Sequence, residues 1–153
     1  MSDVISVLTY KSKESILAAG GTQSWILDRT RAARCDYVVI CRNAQTRTPE
    51  GPEPHGSAFL VGKIKDIVPS TETQGRWLIQ MSDYAEVAVE NQWAGRNPVG
   101  YWKDESFSEI DFKGLTYRPV RPGRRGLTIA EAKAGLAEGF GVPESAIEIV
   151  IRA

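Results

Sequence analysis

Two apolar runs organise the hydrophobic pattern of the chain. Asp36–Asn43 is β-branched and aromatic with almost no polar interruption before Arg42, which predicts a strand buried on both faces. Ser57–Ile67 opens equally apolar and then alternates, so its second half should turn one face to water. Gly62 interrupts its middle, as at a bulge or where another group comes close. Before these runs, Val4–Leu8 predicts a short strand. Ser12, Glu14 and Gly20-Gly21 then bracket a helix over Lys13–Ala19. Asp28 caps a second helical turn, Arg29–Arg34. Asn43–Gly56 carries Pro49, Gly51, Pro52, Pro54 and the sole histidine, His55, and predicts a long, mobile loop.

Further on, Pro69–Gly75 reads as a hairpin tip. Arg76–Ser82 is its return strand, with Trp77, Ile79 and Met81 on one face, and Ser82–Val87 a short edge. Asn91–Val99 with Tyr101 and Trp102 forms an irregular, aromatic segment. Leu115–Val120 predicts another strand, followed by a basic linker with Arg118, Arg121, Arg124 and Arg125. Thr128 and Glu131 make a capping box, and Ile129, Ala132, Leu136 and Phe140 follow a helical stripe that Gly141 and Pro143 end. Ile147, Ile149 and Ile151 alternate as a final strand. This order predicts an α+β fold, a curved mixed sheet closing toward a half-barrel with short helices at its ends. Residues 1–113 form the main domain, and 114–153 a strand-helix-strand addition packed on it.

Composition narrows the function classes. With 42% apolar and 25% charged residues, a chain of 153 residues buries a core without disulfides. Nineteen basic and nineteen acidic residues balance, so no global field draws it to nucleic acid or membrane, and an anionic partner needs a local patch. Cys35 and Cys41 fall on one face of one strand, too far apart to bond to each other, as buried thiols in a reducing compartment. No apolar run approaches the roughly 20 residues of a membrane span, and no leader pattern opens the chain, so a cytoplasmic, soluble protein without a membrane partner is expected. One histidine and two separated cysteines do not make a metal site, and no phosphate loop, nucleophile elbow or Cys-x-x-Cys occurs. Neither metal nor cofactor is expected.

The candidate chemistry lies in the aromatics and cations. Trp25 stands between Thr22-Gln23-Ser24 and Ile26-Leu27. Either it offers a flat face to an unstacked base, with Ser24 and Asn43 reading the base edge, or it caps the core. Trp93, among Gln92, Arg96 and Asn97, is the candidate second wall, with Tyr84 a third; loop packing is the alternative for Trp93. Lys11 and Ser12 at a helix start, with Arg96, Arg124 and Arg125, are the candidate phosphate holders. A plain N-cap is the alternative for Ser12, and a solvated linker for the arginines.

Tyr10-Lys11-Ser12, Ser24-Trp25, Tyr37–Asn43, Gly62-Lys63-Ile64, Arg76-Trp77-Leu78-Ile79 and Asn97-Pro98-Val99 occur in an order that resembles the PUA-like superfamily, which includes ASCH, EVE and YTH domains. The match runs from Val4 to Val99; 114–153 has no counterpart in it. Pro69–Gly75 carries no tryptophan where YTH domains place the second wall of their cage. The resemblance implies a PUA-like pseudo-barrel that binds nucleic acid, RNA or modified DNA, through a modified or flipped base. It also implies an alternative, an ASCH-like amidohydrolase of modified pyrimidine nucleosides, with Lys11 or Lys13, Thr22 and Glu86 in the lysine, threonine and glutamate roles. The residues favour binding over catalysis. A protein-interaction module using the Trp93–Trp102 surface is the third reading; oligomeric state is left open.

Overall fold

Tyr37–Arg42 (β3) lies inside the sheet because neither of its faces is polar. Val38 and Ile40 enter one hydrophobic cluster, Val39 and Cys41 another. The computed structural model, which describes residues 2–123 and 128–152, is α+β. Asp3–Thr9 (β1) runs parallel to β3 on one side, and Ala58–Pro69 (β4) antiparallel on the other. Beyond β4 comes Trp77–Val89 (β5), then Gly21–Trp25 (β2); beyond β1 comes Val99–Lys103 (β6). The order β2-β5-β4-β3-β1-β6 leaves β6 at an edge, and the bridge Arg118–Pro119 (β7) pairs with β5. The sheet curls strongly into a half-barrel.

Helix ends follow their capping residues. Lys13–Ala19 (α1) starts where Ser12 Oγ accepts the Ser15 N–H at 3.1 Å and stops at Gly20, whose φ of 81° is left-handed. Arg29–Ala32 (α2) starts where Asp28 Oδ1 accepts the Arg31 N–H. Ile129–Phe140 (α3) opens on Thr128, which accepts the Glu131 N–H. Ile16 of α1 and Ala32 of α2 seal one face of the sheet beside Ile5, Phe59, Ile67 and Ile79. Burial of one such aliphatic side chain contributes about 1.5–3 kcal/mol, which is how helices this short persist. The other face is covered by Phe107, Ile110 and Phe112 from the segment after β6; the Tyr37 and Phe112 ring centroids lie 4.9 Å apart.

Several sequence expectations need correction. β5 runs unbroken through Ser82, so the predicted edge Ser82–Val87 belongs to it. Tyr101 and Trp102 are in a regular strand, β6. The strand expected over Leu115–Val120 contracts to β7, where Pro119 has no N–H to give a ladder. Ile147, Ile149 and Ile151 form no strand, and no described residue from Thr128 onward enters either cluster. Cys35 and Cys41 lie in opposite clusters, because Cys35 precedes β3 and escapes its alternation. Burial pushes their thiols up to about 11 and about 12.

The loop expected to be mobile is tied down by a buried cation. Arg42 is 1% exposed. Its Nη1 donates to the Lys11 and Thr9 carbonyls at 2.6 and 3.3 Å, its Nε and Nη2 to Glu53 Oε1 at 3.1 and 2.8 Å. The guanidinium lies 4.1 Å from the Phe59 ring centroid. Gly51 makes room for it: a Cβ there would stand 2.4 Å from Nη2. Glu50 N–H to the Tyr10 carbonyl and Ala44 N–H to His55 Nδ1 add further ties.

Candidate functional site

Trp25 does not stand free. The residue is 9% exposed, belongs to the first cluster, and donates its indole Nε1–H to Thr22 Oγ1 at 2.9 Å. The expectation of a stacking face at Trp25 is therefore corrected: a large apolar ring with its one donor satisfied inside gains more from the core than from solvent. A bulge between Gln23 and Trp25, with Ser24 at φ 75°, turns the ring inward and leaves Ile26 exposed.

Around Ser24 the expected phosphate and base readers serve the fold. Lys11 Nζ pairs with Glu72, and Ser24 Oγ donates to the same carboxylate oxygen at 3.2 Å while accepting from Thr73 Oγ1. Lys11 and Ser24 thus do meet, but on the β4–β5 hairpin tip, which they fasten to β2. The Lys11 hydrogen bond holds the Glu72 carboxyl below the usual range. Ser12 caps α1, and its N–H donates to Glu50 Oε1 at 3.0 Å, so a carboxylate already occupies the place proposed for phosphate. Asn43 Oδ1 accepts the Gln45 N–H. Asn43 follows Arg42, whose amide bonds Ser57 just before β4, whereas Trp25 pairs through Trp77 to Pro69 at the far end of β4. The two do not share a site along that ladder. Tyr84 is opposite Gly62 and Arg118 and packs on the first cluster. Arg124 and Arg125 lie outside the described residues.

Trp93 and Arg96 do come together. They line a cleft of about 530 Å³ with Arg31, Asn97, Tyr101 and Trp102. Asn91 at φ 57° and Gly95 at φ 92° bend the β5–β6 connection around it, and the Gln92 N–H bonded to the Gly56 carbonyl anchors its start. From the edge strand β6, Trp102 lies 50% exposed, with its Nε1–H donated to Ser6 Oγ at 2.8 Å. α2 supplies another wall: Arg31 stacks 4.2 Å from the Tyr101 centroid, and Tyr101 Oη accepts the Asp28 N–H at 3.3 Å. Burial raises the Tyr101 phenol. The Trp93 indole N–H has no acceptor among the described residues. The sequence reading missed Arg31 and gave Trp102 no base-reading role; its signal is a bulky aromatic two residues past Gly100 in Gly-Tyr-Trp-Lys.

Charge separates this cleft from the others. Arg31 and Arg96 line it, and among the described residues no carboxylate does. An adjoining cleft of about 440 Å³ shares Arg31, Tyr101 and Trp102 and adds Arg34, Lys103, Cys35 and one carboxylate, Asp3. A third, of about 270 Å³ beside Arg42, sets Glu14, Glu50, Glu53 and Glu86 against Lys13 and Arg42 and repels an anion. No family model, no curated protein and no solved structure matches the chain. What the clefts are for has to come from their chemistry.

That third cleft holds the pair on which the hydrolase alternative turns. Lys13 Nζ lies 2.6 Å from Glu86 Oε1, and this hydrogen bond raises the lysine pKa. A general base or nucleophile at neutral pH needs the opposite shift. Thr22, the third group, is buried with its hydroxyl engaged by Trp25. The arrangement suits an ion pair. No group of three or more metal-ligating side chains is clustered among the described residues, and no described helix is long and apolar enough to cross a membrane.

Proposed function

We propose that the chain is a PUA-like nucleic-acid-binding module that takes an unstacked or modified base of RNA or DNA at the Trp93–Trp102 cleft. The observation that carries this reading is the half-exposed Trp102 on the rim of a cleft that also holds Trp93 and two arginines and, among the described residues, no carboxylate. Aromatic faces stack on any base, and flanking guanidinium groups neutralise phosphate. The volume is in the range of small-ligand sites. A local cationic patch is what a chain with no net charge needs to attract a polyanion. The PUA-like assignment is supported by the curled mixed sheet and by the order of strand, short helix and tryptophan strand before the central hairpin.

Tryptophan-fluorescence titration with single-stranded oligonucleotides, with and without modified bases, tests this. Quenching that weakens as salt rises, and weakens by about 5- to 150-fold in Trp102→Ala, is expected from stacking worth ~1–3 kcal/mol. Salt-insensitive binding, or binding indifferent to Trp102→Ala, would overturn the proposal. In that case the same surface is better read as a protein-docking face.

A further inference from the structure

The base cleft continues past one shared wall into a second, more cationic hollow. Arg31, Tyr101 and Trp102 line both. On the far side of that wall the second hollow adds Arg34 and Lys103 against a single carboxylate, Asp3. Lys103 is already paired with Asp3. Arg34 is exposed, and among the described residues its guanidinium has no hydrogen-bond or ion-pair partner. Such an arginine gains rather than loses partners when a phosphate arrives.

We infer that the two clefts are successive subsites for one single strand, an unstacked base in the first and the backbone phosphate of the neighbouring nucleotide on Arg34 in the second. This rests on the base-binding reading above. Two features support it. Among the described residues β6 is an edge strand, so no further strand covers the track along it. The cations of the second hollow share the wall of Arg31, Tyr101 and Trp102 with the base cleft, where a backbone leaving the base would pass. A duplex keeps its bases stacked and does not fit this division.

The test compares a nucleoside, its dinucleotide and a matched duplex on the full chain by fluorescence titration, with Arg34→Ala and Trp102→Ala. Arg34 is exposed, so its replacement leaves the fold intact. The dinucleotide is expected to bind at least tenfold more tightly than the nucleoside, and the duplex more weakly than the dinucleotide. Arg34→Ala should remove most of that gain, leave nucleoside affinity unchanged, and flatten the salt dependence of dinucleotide binding. Trp102→Ala should weaken nucleoside and dinucleotide alike. If Arg34→Ala changes neither dinucleotide affinity nor salt slope while Trp102→Ala weakens both ligands, the phosphate subsite is overturned and the base cleft stands. If Trp102→Ala is also without effect, or no ligand binds, the base-binding reading falls and the second subsite with it.

Discussion

Trp102 donates its indole N–H to Ser6 Oγ at 2.8 Å across the β6–β1 ladder, and this bond fixes the exposed ring at the rim of the cleft. Ser6 is buried, so its hydroxyl needs a partner inside the fold, and among the described residues Trp102 supplies it. Ser6 pairs with Gly100 in the ladder register, and the ring crosses the space that a side chain at Gly100 would take. The Phe107 ring stands nearly perpendicular to the indole, at 6.5 Å between centroids. A half-exposed tryptophan held by a hydrogen bond, a glycine and a second ring is preorganised for stacking.

Gly100→Ala tests that preorganisation. The added Cβ would lie 2.7 Å from Trp102 Nε1, with Ser6 Oγ at 3.1 Å behind it, so the ring has to swing away and the hydrogen bond breaks. Expected is a stability loss of about 1 kcal/mol, the usual worth of one hydrogen bond. Oligonucleotide binding should weaken nearly as much as in Trp102→Ala, because a ring that must be reordered on binding loses its advantage. Unchanged affinity in fluorescence titration would show that the ring position does not matter.

Glu53→Gln should be among the most damaging single changes outside the aliphatic core. It leaves the Arg42 guanidinium buried with carbonyl acceptors but no counter-charge. Breaking a buried pair costs about 3–5 kcal/mol, and the partial exposure of Glu53 places the expectation near roughly 3. Urea unfolding measures that loss. Hydrogen exchange should rise across 43–56, the segment the pair holds, before it rises in β3. A loss below about 1 kcal/mol would mean that the carbonyls alone suffice.

These two residues also mark what the sequence could and could not reveal. β3 was legible because an uninterrupted apolar run has one cheap solution, burial on both faces. α1 and the start of α3 were legible from caps, whose chemistry is local. Arg42 was not, because nothing local says that a guanidinium at a strand end will turn inward toward Glu53 in a following loop. Trp25 reads as an aromatic between a polar and an apolar stretch, and Trp102 as part of an irregular aromatic segment. Which one is buried depends on a bulge at Ser24 and on β6 being an edge, both set by long-range pairing. The Ile147–Ile151 alternation has the strand period but no partner strand, and a period alone makes no ladder. Trp93 and Arg96 were legible as a pair because one short loop carries both.

Gly21 and Gly62 should respond unequally to alanine. At Gly21 the new Cβ would lie 1.9 Å from the Ile79 carbonyl oxygen, a backbone atom of the adjacent strand that cannot rotate away. At Gly62 it would lie 2.2 Å from Met81 Sδ, the flexible part of a side chain. Gly62→Ala should cost about 1–3 kcal/mol, the usual range for overpacking, and Gly21→Ala more, with β2 detaching from β5. Urea midpoints, with the Trp25 and Trp77 emission as a reporter of the β2–β5 junction, separate the two. Equal losses would contradict the backbone contact.

The Lys11–Glu72 pair predicts how acid loosens the hairpin tip. The hydrogen bond from Lys11 holds the Glu72 carboxyl below its ordinary range in the folded protein. A depressed carboxylate contributes stability that is fully present above its unfolded pKa of about 4.3 and is lost as pH falls through the lower folded value. Both partners are partly exposed, so the contribution should stay within about 1 kcal/mol. In urea unfolding, Glu72→Gln should therefore be less stable than the parent at pH 7 and converge on it as pH falls below the unfolded value of about 4.3 and through the lower folded one. Glu86, whose carboxyl is likewise lowered by Lys13, titrates in both proteins and cancels in the difference. Parallel stability curves from pH 7 to 3 would mean that the carboxylate contributes nothing, and that the tip is held by Gln23, whose Oε1 accepts the Thr71 N–H at 2.9 Å.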